Sequence, residues 1–367
     1  MVALRDAEKA KVLLCGYYGE HNLGDDALLQ VLISQLPNAW DPLITARDHQ
    51  AAAELAPGAS FVDRRSLSET LHALQQVNAL VLGGGSLLQD GTSFKSLLYY
   101  LIVLWCARWN RIPIILWGQG LGPLQRKWSR WCVQATLSGI RAVSWRDPAS
   151  FHQAQRWRLS MPMVMGPDPV WCHPAPRWSG GQDLILCLRP TPLLNTQGWQ
   201  TLLRALEHFS AQSGSKVIWL AFHGDQDAAL WNDLDQQRLI PAGLRERSLQ
   251  RHAESLDQVH GLFGKASLVI AMRLHALILA ATTGCPTAAL SYDPKVKAAA
   301  QLANLPWLDL EHPLAIQEMT SQWHEARRHP ASSSSIQQLR DSADVHRTLL
   351  QEPVSYTHLR AHETPMY

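Results

Sequence analysis

The chain has 367 residues, of which 46% are hydrophobic and 17% charged, with a formal net charge of +2 at pH 7. That length points to two domains, and that composition to a packed globular protein rather than a disordered one. A charge so near balance gives no argument for nucleic acid or an anionic membrane surface as a partner.

Six cysteines, at positions 15, 106, 132, 172, 187 and 285, form no CxxC pair and lie mostly in apolar runs. They fit buried thiols in a reducing compartment, with no zinc site. The opening MVALRDAEKAK lacks the apolar core of a secretory signal. The most apolar helix candidate, Ser96 to Ala107, is too short to span a bilayer. A cytoplasmic protein is expected, with a peripheral contact at the inner face of the plasma membrane, through that aromatic segment, as an open addition. Six of the fifteen tryptophans (Trp105, Trp109, Trp117, Trp128, Trp131, Trp145) crowd one region. Packing accounts for most of them; sugar stacking or another surface is the alternative.

In chain order, Lys11 to Cys15 is an apolar strand that opens into GYYGEHNLGDD, and a helix runs from about Asp25 to Leu36. Strand, glycine-bearing loop and helix match the first unit of a nucleotide-binding α/β fold in outline, although GxGxxG is absent. Asp25 and Asp26 suit a helix N-terminus and would repel a phosphate there, so a sugar hydroxyl is the more compatible guest. Further strands are expected at 43–46, 60–62 and 79–82. The last opens into Gly83-Gly84-Gly85, which implies close backbone approach by a ligand or a neighbouring loop. A long helix from Ser93 to Trp109 follows, then a strand, Ile112 to Trp117, ending in the loop GQGLGP at 118–123. Ala142 to Trp145 leads to Arg146, which either binds an anion or pairs with Asp147. Met163 to Met165 is the next strand.

Trp171 to Gly181, rich in Pro and Gly, reads as an interdomain linker. Alternation restarts with Asp183 to Leu188 (ending at Arg189), a helix over 197–211, and Lys216 to Phe222, which ends at His223. A helix is expected over 255–265. Then comes Leu268 to Met272, with Arg273 and His275 at its end on one face of an extended backbone. A small-residue helix follows to Thr283, and Thr287 to Ser291 leads to Tyr292-Asp293-Pro294-Lys295. The expected division is 1–172 as an N-terminal Rossmann-like domain on the acceptor side and 173–182 as the linker. Residues 183–310 form a C-terminal Rossmann-like domain on the donor side, and 311–352 a helical segment. The tail at 353–367, ending SYTHLRAHETPMY, reads as translated adapter sequence and disordered. His358 and His362, at i and i+4, find no third ligand and are given no role.

Two αβ-repeating halves imply an α/β protein of two Rossmann-like domains facing a central cleft. Basic and imidazole groups end the strands of the second half; glycines, Asn22, Asp25 and Asp26, plus Arg146, end those of the first. One side therefore favours an anion, the other a neutral polyhydroxylated ligand.

The segments GYYGEHNLGDDALL (16–29), GGGSLLQD (83–90), GQGLGPL (118–124), SWRDPAS (144–150), GPDPVW (166–171), LRP (188–190), MRLHALILA (272–280) and ALSYDPKV (289–296) resemble the polysaccharide pyruvyl transferase family, most closely its CsaB-type members. The resemblance implies a fold similar to the GT-B glycosyltransferases. It also implies transfer of a pyruvyl group from phosphoenolpyruvate to a cell-wall polysaccharide sugar, commonly N-acetylmannosamine on a lipid-linked precursor, as a 4,6-ketal. By resemblance His275 matches the family's general acid. Asp25 or Asp26 either orients or deprotonates the acceptor hydroxyl, or only stabilises a helix start. The donor's carboxylate and phosphate call for arginines; Arg146, Arg189 and Arg273 are the candidates. His223, Asn22, Gly84, Gly85 and Lys295 complete the expected substrate-binding set. No cofactor beyond phosphoenolpyruvate as donor substrate, and no metal, is expected. The rival expectations are a nucleotide-sugar glycosyltransferase of the same fold and a non-catalytic sugar-binding scaffold.

Overall fold

The structure is a computed structural model and describes residues 9–351. The tail expected at 353–367, with His358 and His362, lies outside the described residues. Two compact units are present: one of 9–20, 28–169 and 343–351, the other of 21–27 and 170–342.

The first unit is built on β1 (Ala10–Tyr18), β2 (Trp40–Ala46), β3 (Ser60–Asp63), β4 (Ala79–Leu82), β5 (Gly85–Leu88), β6 (Ile114–Leu121), β7 (Ala142–Trp145) and β8 (Met163–Met165). All pairings are parallel, in the order β3-β2-β1-β4-β6-β7-β8, with β5 beside β6. Every residue of β4 and β7 is buried. Parallel strands covered on both faces read as near-continuous apolar runs, broken here only by Ser144 of β7, so these two are found in the sequence at their observed limits.

The second unit holds β9 (Asp183–Cys187), β10 (Val217–Ala221), β11 (Ser248–His252), β12 (Ala266–Ala271), β13 (Thr287–Ser291) and β14 (Trp307–Asp309). Their order is β11-β10-β9-β12-β13-β14, again all parallel. This is the doubly wound order, in which the direction of winding reverses between β9 and β12. Trp199, Leu203 and Phe209 of helix Thr196–Ser213 are buried in the core of this unit with Trp323. Burial of side chains this size contributes roughly 1.5–3 kcal/mol each.

Three features differ from the sequence expectation. Gly118 to Leu121, expected as a loop, continues β6, with a register shift against β7 between Leu116 and Gln119. The buried Gln119 amide donates to the carbonyls of Leu82 (3.3 Å) and Gly83, which holds the irregular stretch in the sheet. Second, β11 was not expected, because SLQRH is largely exposed and carries no apolar period. Third, the segment expected as a linker is pinned: Trp178 donates from its backbone N to Thr283 O and from Nε1 to Ala266 O, each at 2.8 Å.

Candidate active site

Ligands of open α/β sheets bind beyond the carboxyl ends of the strands, at the point where winding reverses. In the second unit that point lies between β9 and β12. Arg189 stands two residues past β9, His223 two past β10 and Arg273 two past β12. His275 is in the first turn of helix Leu274–Thr283, and Lys295 in the first turn of helix Pro294–Leu302 after β13. All six residues of β12 are buried, and so is nearly every residue of the helix after it, which fixes where Arg273 and His275 emerge.

Residues 21–27 join the same unit. Asn22 forms an antiparallel bridge with His223, Leu23 N donates to Phe222 O (3.3 Å), and Gly224 N donates to His21 O (3.2 Å). The Asn22 side chain then starts helix Leu23–Gln35: its Oδ1 accepts from Gly24 N at 3.1 Å and its Nδ2 donates to Asp25. Gly24 lies directly against the imidazole of His275, leaving no room for a Cβ. One loop thereby sets Asn22 against His223 and Gly24 against His275, with Asp25 and Asp26 next to them in the first turn of the helix. A Gly24→Ala chain is expected to push the imidazole aside, with roughly 1–3 kcal/mol lost to overpacking. A urea midpoint unchanged from the parent would contradict that packing.

Asp26 titrates at about 7, raised first by burial and then by the charge of Asp25. The unfolded chain releases that proton near pH 4, so between roughly pH 4 and 7 the native protein holds a proton the unfolded one has lost. Stability is therefore lost as pH rises through this window. Asp26→Asn should unfold at a higher urea midpoint than the parent at pH 8 and at a similar one at pH 4. Parallel pH profiles for the two proteins would refute the assignment.

Arg273 is engaged on one side. Its Nε donates to both Asp227 carboxylate oxygens (3.0 and 3.2 Å), and its Nη2 donates to Asp227 and to Gln226 Oε1 (3.0 Å). Asp227 is buried and also accepts from His223 N at 2.9 Å. Burial, and next the Arg273 charge, lower the pKa of His223, which favours the neutral ring. Arg189 is different: its Nη1 donates to Tyr292 Oη at 2.8 Å, its guanidinium lies 4.7 Å above the Tyr292 ring, and among the described residues no carboxylate pairs with it. It is the arginine of this group whose charge is uncompensated. Lys295 pairs with Asp293 at 3.4 Å. A cavity of about 290 Å³ opens beside Asp227, walled by Trp219, Trp231, Gln250 and His252.

The remaining expected residues lie in the first unit. Arg146 is buried in an ion pair with Asp168 (2.7 Å) and donates to Ser86 Oγ (3.1 Å). Its partner is thus not Asp147, which caps helix Pro148–Arg156. A Cβ on Gly84 would meet Leu28 at 2.7 Å and Trp117 at 3.3 Å, and Gly85 has a φ of 110°. The glycine run is required by packing against these side chains and by the turn into β5. A cluster the sequence reading missed sits where β1, β2 and β3 end: Glu20, buried, pairs with Arg47 (3.2 Å), Arg65 (3.1 Å) and Arg64. Its signal was legible as arginines directly after two strands. Among the described residues, no group of three or more His, Cys, Asp or Glu is arranged to hold a metal.

The sequence model of one family, Polysaccharide pyruvyl transferase, matches residues 22–294. No curated protein matches the chain. Among solved structures, a putative UDP-N-acetylglucosamine 2-epimerase from Listeria monocytogenes is similar at 11% identity and a TM-score of 0.63, over 93% of this chain and 95% of that one. Anabaena Alr3699/HepE, solved with UDP-glucose, is similar at 13% identity and 0.61, over 94% and 98%. The lipopolysaccharide outer core galactosyltransferase WaaB is similar at 10% and 0.53, over 93% and 98%. At such identities the likeness establishes the fold, the two-domain α/β architecture of GT-B glycosyltransferases and these epimerases.

Proposed function

Since the chain belongs to the polysaccharide pyruvyl transferase family, we propose that it moves the pyruvyl group of phosphoenolpyruvate onto a cell-wall polysaccharide sugar. N-acetylmannosamine of a lipid-linked precursor, as for CsaB-type members, is the acceptor of choice. The product is a pyruvate ketal, and phosphate is released. The observation that carries this reading is His275 seated against Gly24, the residue that precedes Asp25 and Asp26 in the first turn of their helix, at the carboxyl edge of the second sheet.

His275 delivers a proton to the methylene carbon of the donor, which leaves an oxocarbenium-like centre at the carbon bearing the phosphate. A sugar hydroxyl adds there and gives up its proton; a carboxylate titrating near neutrality, as Asp26 does, is a competent base. Phosphate departs, and the second hydroxyl closes the ketal, its proton passing to the departing phosphate. One donor and one diol thus give one ketal and one phosphate.

Arg189 is the donor-binding arginine, because its charge is not already spent on a carboxylate. Arg189→Ala is expected to raise the KM for phosphoenolpyruvate by roughly tenfold to a hundredfold, the worth of a hydrogen bond to a charged group. An unchanged KM would remove Arg189 from the donor site.

The reaction is tested by following phosphate release from phosphoenolpyruvate with and without a synthetic lipid-diphosphate disaccharide. Acceptor-dependent release, with a pyruvate ketal in the product mass, supports the reading. If nucleotide sugars raise the melting temperature and phosphoenolpyruvate draws no phosphate release, the protein is a glycosyltransferase. The cavity lined by Trp219 and Trp231, of a size to hold an aromatic base, is what favours that second reading.

A further inference from the structure

The whole chain is nearly neutral, but its charge is unevenly distributed. From Gly91 to Ser160 there are ten lysines and arginines against one acid, Asp147. Within this stretch helix Phe94–Trp109 carries Leu98, Ile102, Trp105 and Trp109 at i, i+4, i+7 and i+11, a single stripe. Leu98, Trp105 and Trp109 are exposed, Trp109 by 89%. The neighbouring helix, Lys127–Leu137, exposes Trp128 and, by 69%, Trp131, three residues apart on one face.

The two helices are held side by side. Trp105 Nε1 donates to Thr136 Oγ1 at 2.6 Å, and Phe94 meets Trp128 edge to face at 4.6 Å. The Arg126 guanidinium lies over the Phe94 ring at 5.3 Å. Lys95, Arg108, Arg111, Arg126, Lys127 and Arg130 are exposed around these aromatic rings. A hollow of about 340 Å³ opens beside Trp131, with Trp157 and Arg158 in its wall.

We infer that this face of the first unit docks on an anionic lipid surface, with the tryptophans at the headgroup level and the basic side chains on lipid phosphates. Indole rings, apolar with one polar edge, favour that depth, and basic side chains beside them are drawn to negatively charged leaflets. A protein-binding face of this size would be expected to alternate the signs of its charges; on this one the exposed charges named are all basic, Arg126 being paired with the buried Asp90 at 3.5 Å, and the excess of cations complements a continuous anionic plane. No helix among the described residues is long and apolar enough to cross a membrane, so the contact is peripheral. The docking is independent of the chemistry proposed above, although a lipid-linked acceptor would give it a use.

The test is co-sedimentation of the whole protein with vesicles of phosphatidylglycerol and phosphatidylcholine mixed, against phosphatidylcholine alone. Binding is expected only to the anionic vesicles, weakening at least tenfold as salt rises from 50 to 500 mM. Trp109→Ser combined with Trp131→Ser should weaken it at least tenfold, and so should Lys127→Gln combined with Arg130→Gln. All four side chains are exposed, so unfolding midpoints should match the parent, and phosphate release is read separately. Equal binding to both vesicle types, no binding to either, or undiminished binding by both variants overturns the inference. So does a concentration-dependent dimer that the tryptophan variant abolishes while vesicles bind neither protein.

Discussion

Phosphate release from phosphoenolpyruvate in the presence of acceptor is expected to fall by about 10²–10⁴-fold when His275 is replaced by alanine, the usual contribution of a positioned general acid. The reason is local. The imidazole is half-buried at the start of helix Leu274–Thr283 and is backed by the Cα of Gly24, so its position is fixed by two elements rather than by a free rotamer. Alanine removes the proton donor and leaves both elements in place. The KM for phosphoenolpyruvate should then change little, and the urea midpoint should stay near the parent's. A folded His275→Ala protein with undiminished turnover would take His275 out of the mechanism. A loss confined to KM would make it a binding group instead.

Arg273→Leu should fail differently. The Asp227 carboxylate is buried, and the Arg273 guanidinium caps it from Nε and Nη2. Removing one partner of a buried pair leaves an uncompensated charge and typically costs about 3–5 kcal/mol. Here the stranded carboxylate keeps only the donation from His223 N among the bonds described above. The expected result is a large fall in the urea midpoint before any effect on donor binding can be read. Arg273→Leu combined with Asp227→Asn should recover most of that stability, because the second change removes the stranded charge. If the single variant is as stable as the parent, or the double variant is no better than the single, the pair is not what holds this corner. The sequence reading grouped Arg273 with the donor-binding arginines. The geometry makes it first the partner of Asp227, and leaves Arg189 as the arginine with charge to offer.

Much of the architecture was written in the sequence by one physical rule. A parallel strand covered by helices on both faces is largely apolar, so β4 stands out as an uninterrupted run with glycine directly after it, and β7 and β13 as short runs holding only small hydroxyl residues, Ser144, Thr287 and Ser291, among the apolar ones. Helix Thr196–Ser213 is similarly legible from its apolar period and its ends, Asn195 before it and Gly214 in the left-handed region after it. Strand ends are where ligands bind, so Arg189, His223, Arg273 and His275 could be named from position alone. The short polar edge strand β11 could not be found that way, because its exposed side chains carry no pattern of burial.

What the sequence could not decide was partnership. Asp227 and Arg273 are 46 residues apart, Glu20 and Arg65 are 45 apart, and no local spacing announces either pair. Gly24 reads as one more loop glycine until the fold sets the His275 ring against it, 251 residues along the chain. Gly84 reads as a ligand contact until Leu28 and Trp117 are found in the space its missing Cβ would occupy. Local sequence thus determined which groups emerge at the strand ends, because burial period is a local property. The tertiary structure decided which of those groups are neutralised, which are crowded and which remain available, because charge compensation and packing depend on distance in space.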